Sequence, residues 1–126
     1  MPFGYNGKIL QVDLTDGEIA VERPPETWYR AYLGGMGVIA YYLLREVERG
    51  ADPLGPGNLL IMAPGVVTGA PFSGSGRNAV GGKSPLTGGF GEADAGGFWG
   101  AELKHAGFDA VVFKGCLLYT SPSPRD

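Results

Sequence analysis

Apolar and polar positions alternate over KILQVDL (residues 8–14) and EIAVE (18–22), with Thr15-Asp16-Gly17 between them. A period of two on both sides of an Asp-Gly pair predicts a β-hairpin at the start of the chain. The period then lengthens. In PPETWYRAYLGG (24–35) the residues Trp28, Tyr29, Tyr32 and Leu33 fall at helical spacing after Pro25 or Glu26, and Gly34-Gly35 stops the run. Gly37 to Val47, containing VIAYYLLREV, predicts a second helix that is apolar on most sides, ended by Gly50 and Pro53. LLIMAPG (59–65) is short, continuous and apolar, as a buried strand is; RNAVGGK (77–83) predicts another strand, weakened or bulged at Gly81-Gly82, and DAVVFKG (109–115) a third. A helix from Gly97 to His105 lies between the last two, closed by Gly107 with Lys104 and His105 in its last turn. Helices and strands mix without a regular βαβ cadence or internal repeat, so the fold class is α+β. Ending the sheet at DAVVFKG would leave a strand edge unpaired, the mark of a fragment.

From Gly65 to Gly100 the chain is about one-third glycine, interleaved with apolar and aromatic residues. That interleaving argues against a linker. Each ordered glycine costs conformational entropy, so glycines in such number point to backbone shaped around a ligand. The length of 126 residues permits one domain, and 44% hydrophobic with 18% charged residues is ordinary for a globular one. The formal net charge of -3 gives no reason to expect nucleic acid or an anionic membrane as partner. There is no apolar run of roughly 18 residues, and the N-terminus lacks a signal-peptide pattern, so a cytoplasmic location is expected. Residues 116–126, CLLYTSPSPRD, break abruptly from the preceding composition; they are set aside as a non-native or disordered tail, and Cys116 with them, leaving 1–115 as the domain.

Candidate chemistry is sparse. His105 has no nucleophile to serve, and neither a Gly-x-Ser-x-Gly elbow nor a full Gly-x-x-x-x-Gly-Lys-Ser/Thr phosphate loop is present. His105 is therefore a helix C-terminal residue. Gly74-Ser75-Gly76-Arg77 is more suggestive, because small residues expose backbone N–H groups to an anion and an adjacent guanidinium matches phosphate. A plain turn followed by a surface Arg explains it equally. Asp94-Ala95-Gly96-Gly97 leads into the predicted helix and would let a phosphate approach that helix's unpaired N–H groups. Asp94 could equally be the helix N-cap, and its charge sits awkwardly beside a phosphate.

NGKILQVDLTDGEI, YLGGMGVIAYYLLREV, DPLGPGNLLIMAPGVVTG, SGRNAV and KSPLTGGFGEADAGGFWGAELKHAGFDAVVFKG together resemble consecutive blocks of the N-terminal domain of the tungsten-containing aldehyde ferredoxin oxidoreductases. The resemblance runs from about Tyr5 to Gly115 and includes Lys-Ser-Pro-Leu-Thr-Gly and Ala-Glu-Leu-Lys-x-Ala-Gly-x-Asp. It implies a two-sheet base domain, here present in part, beneath a tungsten or molybdenum ion held by two pyranopterins. It also implies oxidation of aldehydes to carboxylic acids with ferredoxin as electron acceptor, and a homodimer by family habit. By the same likeness Arg77 contacts a pterin phosphate and Asp94, Ala95, Gly96 and Gly97 contact the same pterin. The backbone carbonyl of Asp94 would reach a magnesium ion bridging the phosphates. The family commonly has Asn where this chain has Asp94, which removes an amide donor but not a backbone carbonyl. The catalytic acid/base residues and the Cys-x-x-Cys-x-x-x-Cys ligands of a [4Fe–4S] cluster belong to segments that this chain lacks, so no catalytic residue is expected within it. Two other readings are a stand-alone phosphate or small-molecule binding module and a purely structural subunit in which Arg77 is a surface residue.

Overall fold

The computed structural model describes residues 4–115. Its strands are β1 (Ile9–Asp13), β2 (Glu18–Glu22), β3 (Leu59–Pro64), β4 (Asn78–Lys83), β5 (Phe90–Ala95) and β6 (Ala110–Lys114), and its helices α1 (Glu26–Tyr32), α2 (Met36–Glu46) and α3 (Trp99–His105). The six strands join one mixed sheet in the order β2-β1-β6-β3-β4-β5. The α+β class is as expected. Every strand among the described residues belongs to this sheet, so the second sheet of the implied base is not among them. No helix among them is long and apolar enough to cross a membrane.

The opening hairpin forms as its alternation predicts, with Ile9 opposite Glu22 and Asp13 opposite Glu18. Gly17 turns it at φ +70, a conformation that side chains disfavour. β6 then inserts between β1 and β3, parallel to the first and antiparallel to the second. This corrects the expectation that DAVVFKG forms an edge. Its run of buried Ala110, Val111 and Val112 suits a central strand, paired along both of its edges. The edges are β2 and β5, and β5 was not anticipated.

α1 and α2 cover one face. Ile39 and Tyr42 of α2 are fully buried against Ile9, Ile61, Ala79 and Val112. Trp28 of α1 meets Tyr41 edge-on at 5.2 Å, joining the two helices through aromatic contact. The opposite face is only partly covered. α3 lies over the end where Asn78 begins β4, and Gly100 is buried there against Asn78 and Thr68. Beyond α3 the same face is an open apolar groove of about 820 Å³ lined by Leu14, Leu60, Met62, Val80 and Phe113. At the connection from α3 to β6, the buried Asp109 carboxylate accepts N–H bonds from Asn6 at 2.9 Å and Gly7 at 2.8 Å and pairs with Lys104 at 3.3 Å. That cluster anchors the N-terminal segment beneath α3.

Candidate functional site

The two glycine-rich segments meet at the end of the sheet beneath α3. β4 and β5 pair with Asn78 opposite Ala95 and Ala79 opposite Asp94. Continuing this register by one step brings Arg77 across from Gly96. The approach is close: a Cβ built on Gly76 would lie 3.4 Å from the Gly97 carbonyl oxygen. The structure therefore brings together Gly76, Arg77, Ala95, Gly96 and Gly97. It separates Asp94 from the role of helix cap: Asp94 and Ala95 are strand residues, α3 begins only at Trp99, and Phe98 stands at its N-cap with no side-chain hydrogen bond. The predicted helix start at Gly97 is corrected with it. The junction of loop and turn, not this seven-residue helix that begins two positions later, forms the candidate cradle.

The cradle faces outward. Gly74, Gly96 and Gly97 have no atom within 4 Å of a built Cβ, and Gly97 has φ +105, open to glycine and strained for other residues. The Arg77 side chain is exposed, and among the described residues no hydrogen bond or ion pair engages its guanidinium. Its backbone is held firmly. Thr68 donates its hydroxyl to the Arg77 carbonyl at 2.6 Å, and the Ser75 hydroxyl reaches the carbonyls of Ala70 and Phe72 at 2.7 and 2.8 Å. With Nε2 protonated, His105 at the end of α3 donates to the Gly69 carbonyl at 3.2 Å. His105 is thus the helix-terminal residue expected, with an added grip on the loop.

A second charge borders the site. Glu92 precedes Asp94 by two residues on β5, so both carboxylates point to one face. A hydrogen bond to Asp94 that only the protonated acid can donate, then burial and the Asp94 charge, raise Glu92 above its ordinary value. No group of three or more His, Cys, Asp or Glu among the described residues is arranged to hold a metal ion. The implied magnesium contact rests on the Asp94 backbone carbonyl alone. Cys116 lies outside the described residues.

Thr68 escaped the sequence reading. Its only signal was its place three residues after Gly65 and directly before Gly69, within a loop whose fold depends on partners far along the chain.

Residues 9–117 match the family described as "Aldehyde ferredoxin oxidoreductase, N-terminal domain". The chain is 48% identical over 113 residues to a tungsten-containing aldehyde ferredoxin oxidoreductase of Pyrococcus abyssi, covering 90% of this chain and 19% of that protein. An aliphatic sulfonate oxidoreductase WOR-like subunit of Pyrococcus furiosus is 34% identical over 116 residues, covering 90% of this chain and 18% of the relative. Among solved structures, the active-site complex BamBC of benzoyl coenzyme A reductase, bound to 1,5-dienoyl-CoA, superposes with a TM-score of 0.87 at 39% identity, covering 91% of this chain and 18% of the other. The chain therefore spans less than a fifth of the relatives' length. The match extends over most of its residues, and the chain belongs to the aldehyde ferredoxin oxidoreductase family through its N-terminal domain.

Proposed function

We propose that this chain is part of the base on which an aldehyde-oxidising, ferredoxin-linked oxidoreductase of the cytoplasm seats a tungsten or molybdenum bis-pyranopterin. The observation that carries the reading is the junction of Gly76 with Gly97, beside an Arg77 guanidinium engaged by no other described side chain. The residues present fit a phosphate: open backbone at Gly96 and Gly97 offers approach, and the guanidinium offers a fork of charged donors.

When bound, the cofactor would supply the two-electron chemistry, and the ligands of an iron-sulfur cluster would come from other parts of the enzyme. This chain's residues bind and orient. Arg77 neutralises phosphate charge, and Ala95, Gly96 and Gly97 let the pterin lie close to backbone. The Asp94 carbonyl offers an oxygen ligand to a magnesium ion, a hard cation that takes oxygen donors. The aldehyde site, the ferredoxin contact and any homodimer interface belong to the larger protein.

The test is a titration of inorganic phosphate into the 126-residue chain, followed by amide chemical shifts. Shifts are expected at Arg77, Gly96 and Gly97. Arg77→Ala should weaken binding by about ten- to a hundredfold, as loss of a hydrogen bond to a charged group implies, with the sheet resonances unmoved. Binding that is absent, or equal in Arg77→Ala, overturns the proposal.

A further inference from the structure

We infer that Thr68 is the positioning residue that sets Arg77 against the Gly96-Gly97 turn, an inference that rests on the phosphate-binding reading above. Arg77 stands just outside β4, in a loop whose preceding residues run exposed from Pro71 to Gly74. A guanidinium on such a backbone has many orientations, and ordering it on binding would cost affinity. The structure fixes the backbone beforehand.

Thr68 is 6% exposed, and its hydroxyl is used twice. It donates to the Arg77 carbonyl at 2.6 Å and accepts from the Gly65 amide at 2.8 Å. One buried hydroxyl thereby ties the end of β3 to the residue before β4. Its methyl group makes the third connection. A Cβ on Gly100 would sit 3.1 Å from Thr68 Cγ2 and 3.0 Å from Asn78 Cβ, so only glycine lets α3 settle this close to both. α3 begins two residues after Gly97, so its height over Thr68 constrains the height of that turn. Thr68 holds Arg77 through its hydroxyl and the opposing turn through its methyl group. Valine would keep the shape and lose both hydrogen bonds, whereas serine would keep the bonds and lose the methyl contact.

The experiment is the same phosphate titration of the 126-residue chain, repeated with Thr68→Val and Thr68→Ser. Thr68→Val should bind phosphate about tenfold more weakly although Arg77 is present, the loss that one buried hydrogen bond supports. Thr68→Ser, which loses only the methyl contact, should bind about fourfold more weakly than the unsubstituted chain, the worth of one buried methyl group, and more tightly than Thr68→Val. Equal affinity in Thr68→Val and the unsubstituted chain overturns the inference, as does binding in Thr68→Ser no tighter than in Thr68→Val with intact sheet resonances. Hydrogen exchange of the Gly65 amide in the unsubstituted chain gives a reading that needs no variant. Saturating phosphate should slow it, because the bound Arg77 tightens the same bridge, and unchanged exchange overturns the inference. Failure of the unsubstituted chain to bind phosphate overturns the functional reading instead, so the two failures are distinguishable.

Discussion

The covered face of the sheet and the cradle at its end are both rich in glycine, for opposite reasons. Under α2, Gly81 has no room: a Cβ would lie 2.6 Å from Ile39 Cγ2 and 2.9 Å from the Gly91 carbonyl oxygen. At the cradle, Gly96 has nothing within 4 Å. The first glycine permits the close helix-on-sheet packing that holds the fold together, and the second leaves backbone bare where a ligand can reach it. Glycine content alone does not tell packing from binding; the surroundings of each residue do.

The covered face should give the largest effects. Ile39 is fully buried, and Ile39→Ala should destabilise by about 2–5 kcal/mol, the usual cost of such a cavity. Gly81→Ala should cost about 1–3 kcal/mol through overpacking. The two are coupled, because removing Ile39 Cγ2 makes space for the new methyl group. In urea denaturation the double variant should fall short of the sum by about 1 kcal/mol, with the Gly91 carbonyl keeping the remainder of the clash. Strict additivity would mean that α2 does not seat on β4 as closely as described.

Legibility in the sequence divides along the same line. The hairpin and both early helices are visible in their periodicity, and the strands at 59–65, 77–83 and 109–115 in short, largely apolar runs bounded by turn residues. β5 is not, since FGEADA has one large apolar residue and lies at an edge, paired with β4 alone. The central place of β6 depends on pairing with β1, about a hundred residues earlier in the chain, and no local pattern records that. At the site, Arg77 and Gly97 were each weak signals, joined through the family resemblance and then by the β4–β5 register. Helix N-cap is one of the two readings that the sequence offers for Asp94, because DAGG leads into a helix; the pairing of Asp94 with Ala79 places it in a strand.

Two buried phenols make the covered face sensitive to alkali. Burial, then the Glu22 carboxylate, raises the Tyr42 phenol, whose hydroxyl donates to Glu22 at 2.9 Å; burial, then Asp109, raises Tyr29. Both are acids whose neutral form the fold favours. The unfolded chain releases these protons first, near pH 10, so their stabilisation is complete below that pH and declines as pH rises beyond it. Tyr42→Phe should cost about 1 kcal/mol at neutral pH, the worth of one hydrogen bond, and should flatten the alkaline decline. An unchanged alkaline slope in that variant would show that Tyr42 already ionises in the folded chain as it does when unfolded.

The smallest stability effect belongs to the cradle and separates it most sharply from the covered face. Gly96 has open space around it and no left-handed φ, so Gly96→Ala meets neither a clash nor backbone strain. Its stability should stay within about 0.5 kcal/mol of the original, as for other surface changes. Its effect on phosphate should be larger, because the methyl group stands where the anion would approach the backbone beside Arg77. A stable variant with weakened phosphate binding would show that this glycine is kept bare for a ligand. Unaltered binding would restrict the phosphate to Arg77 and Gly97, and destabilisation by more than 1 kcal/mol would place Gly96 with Gly81 among the glycines that packing requires.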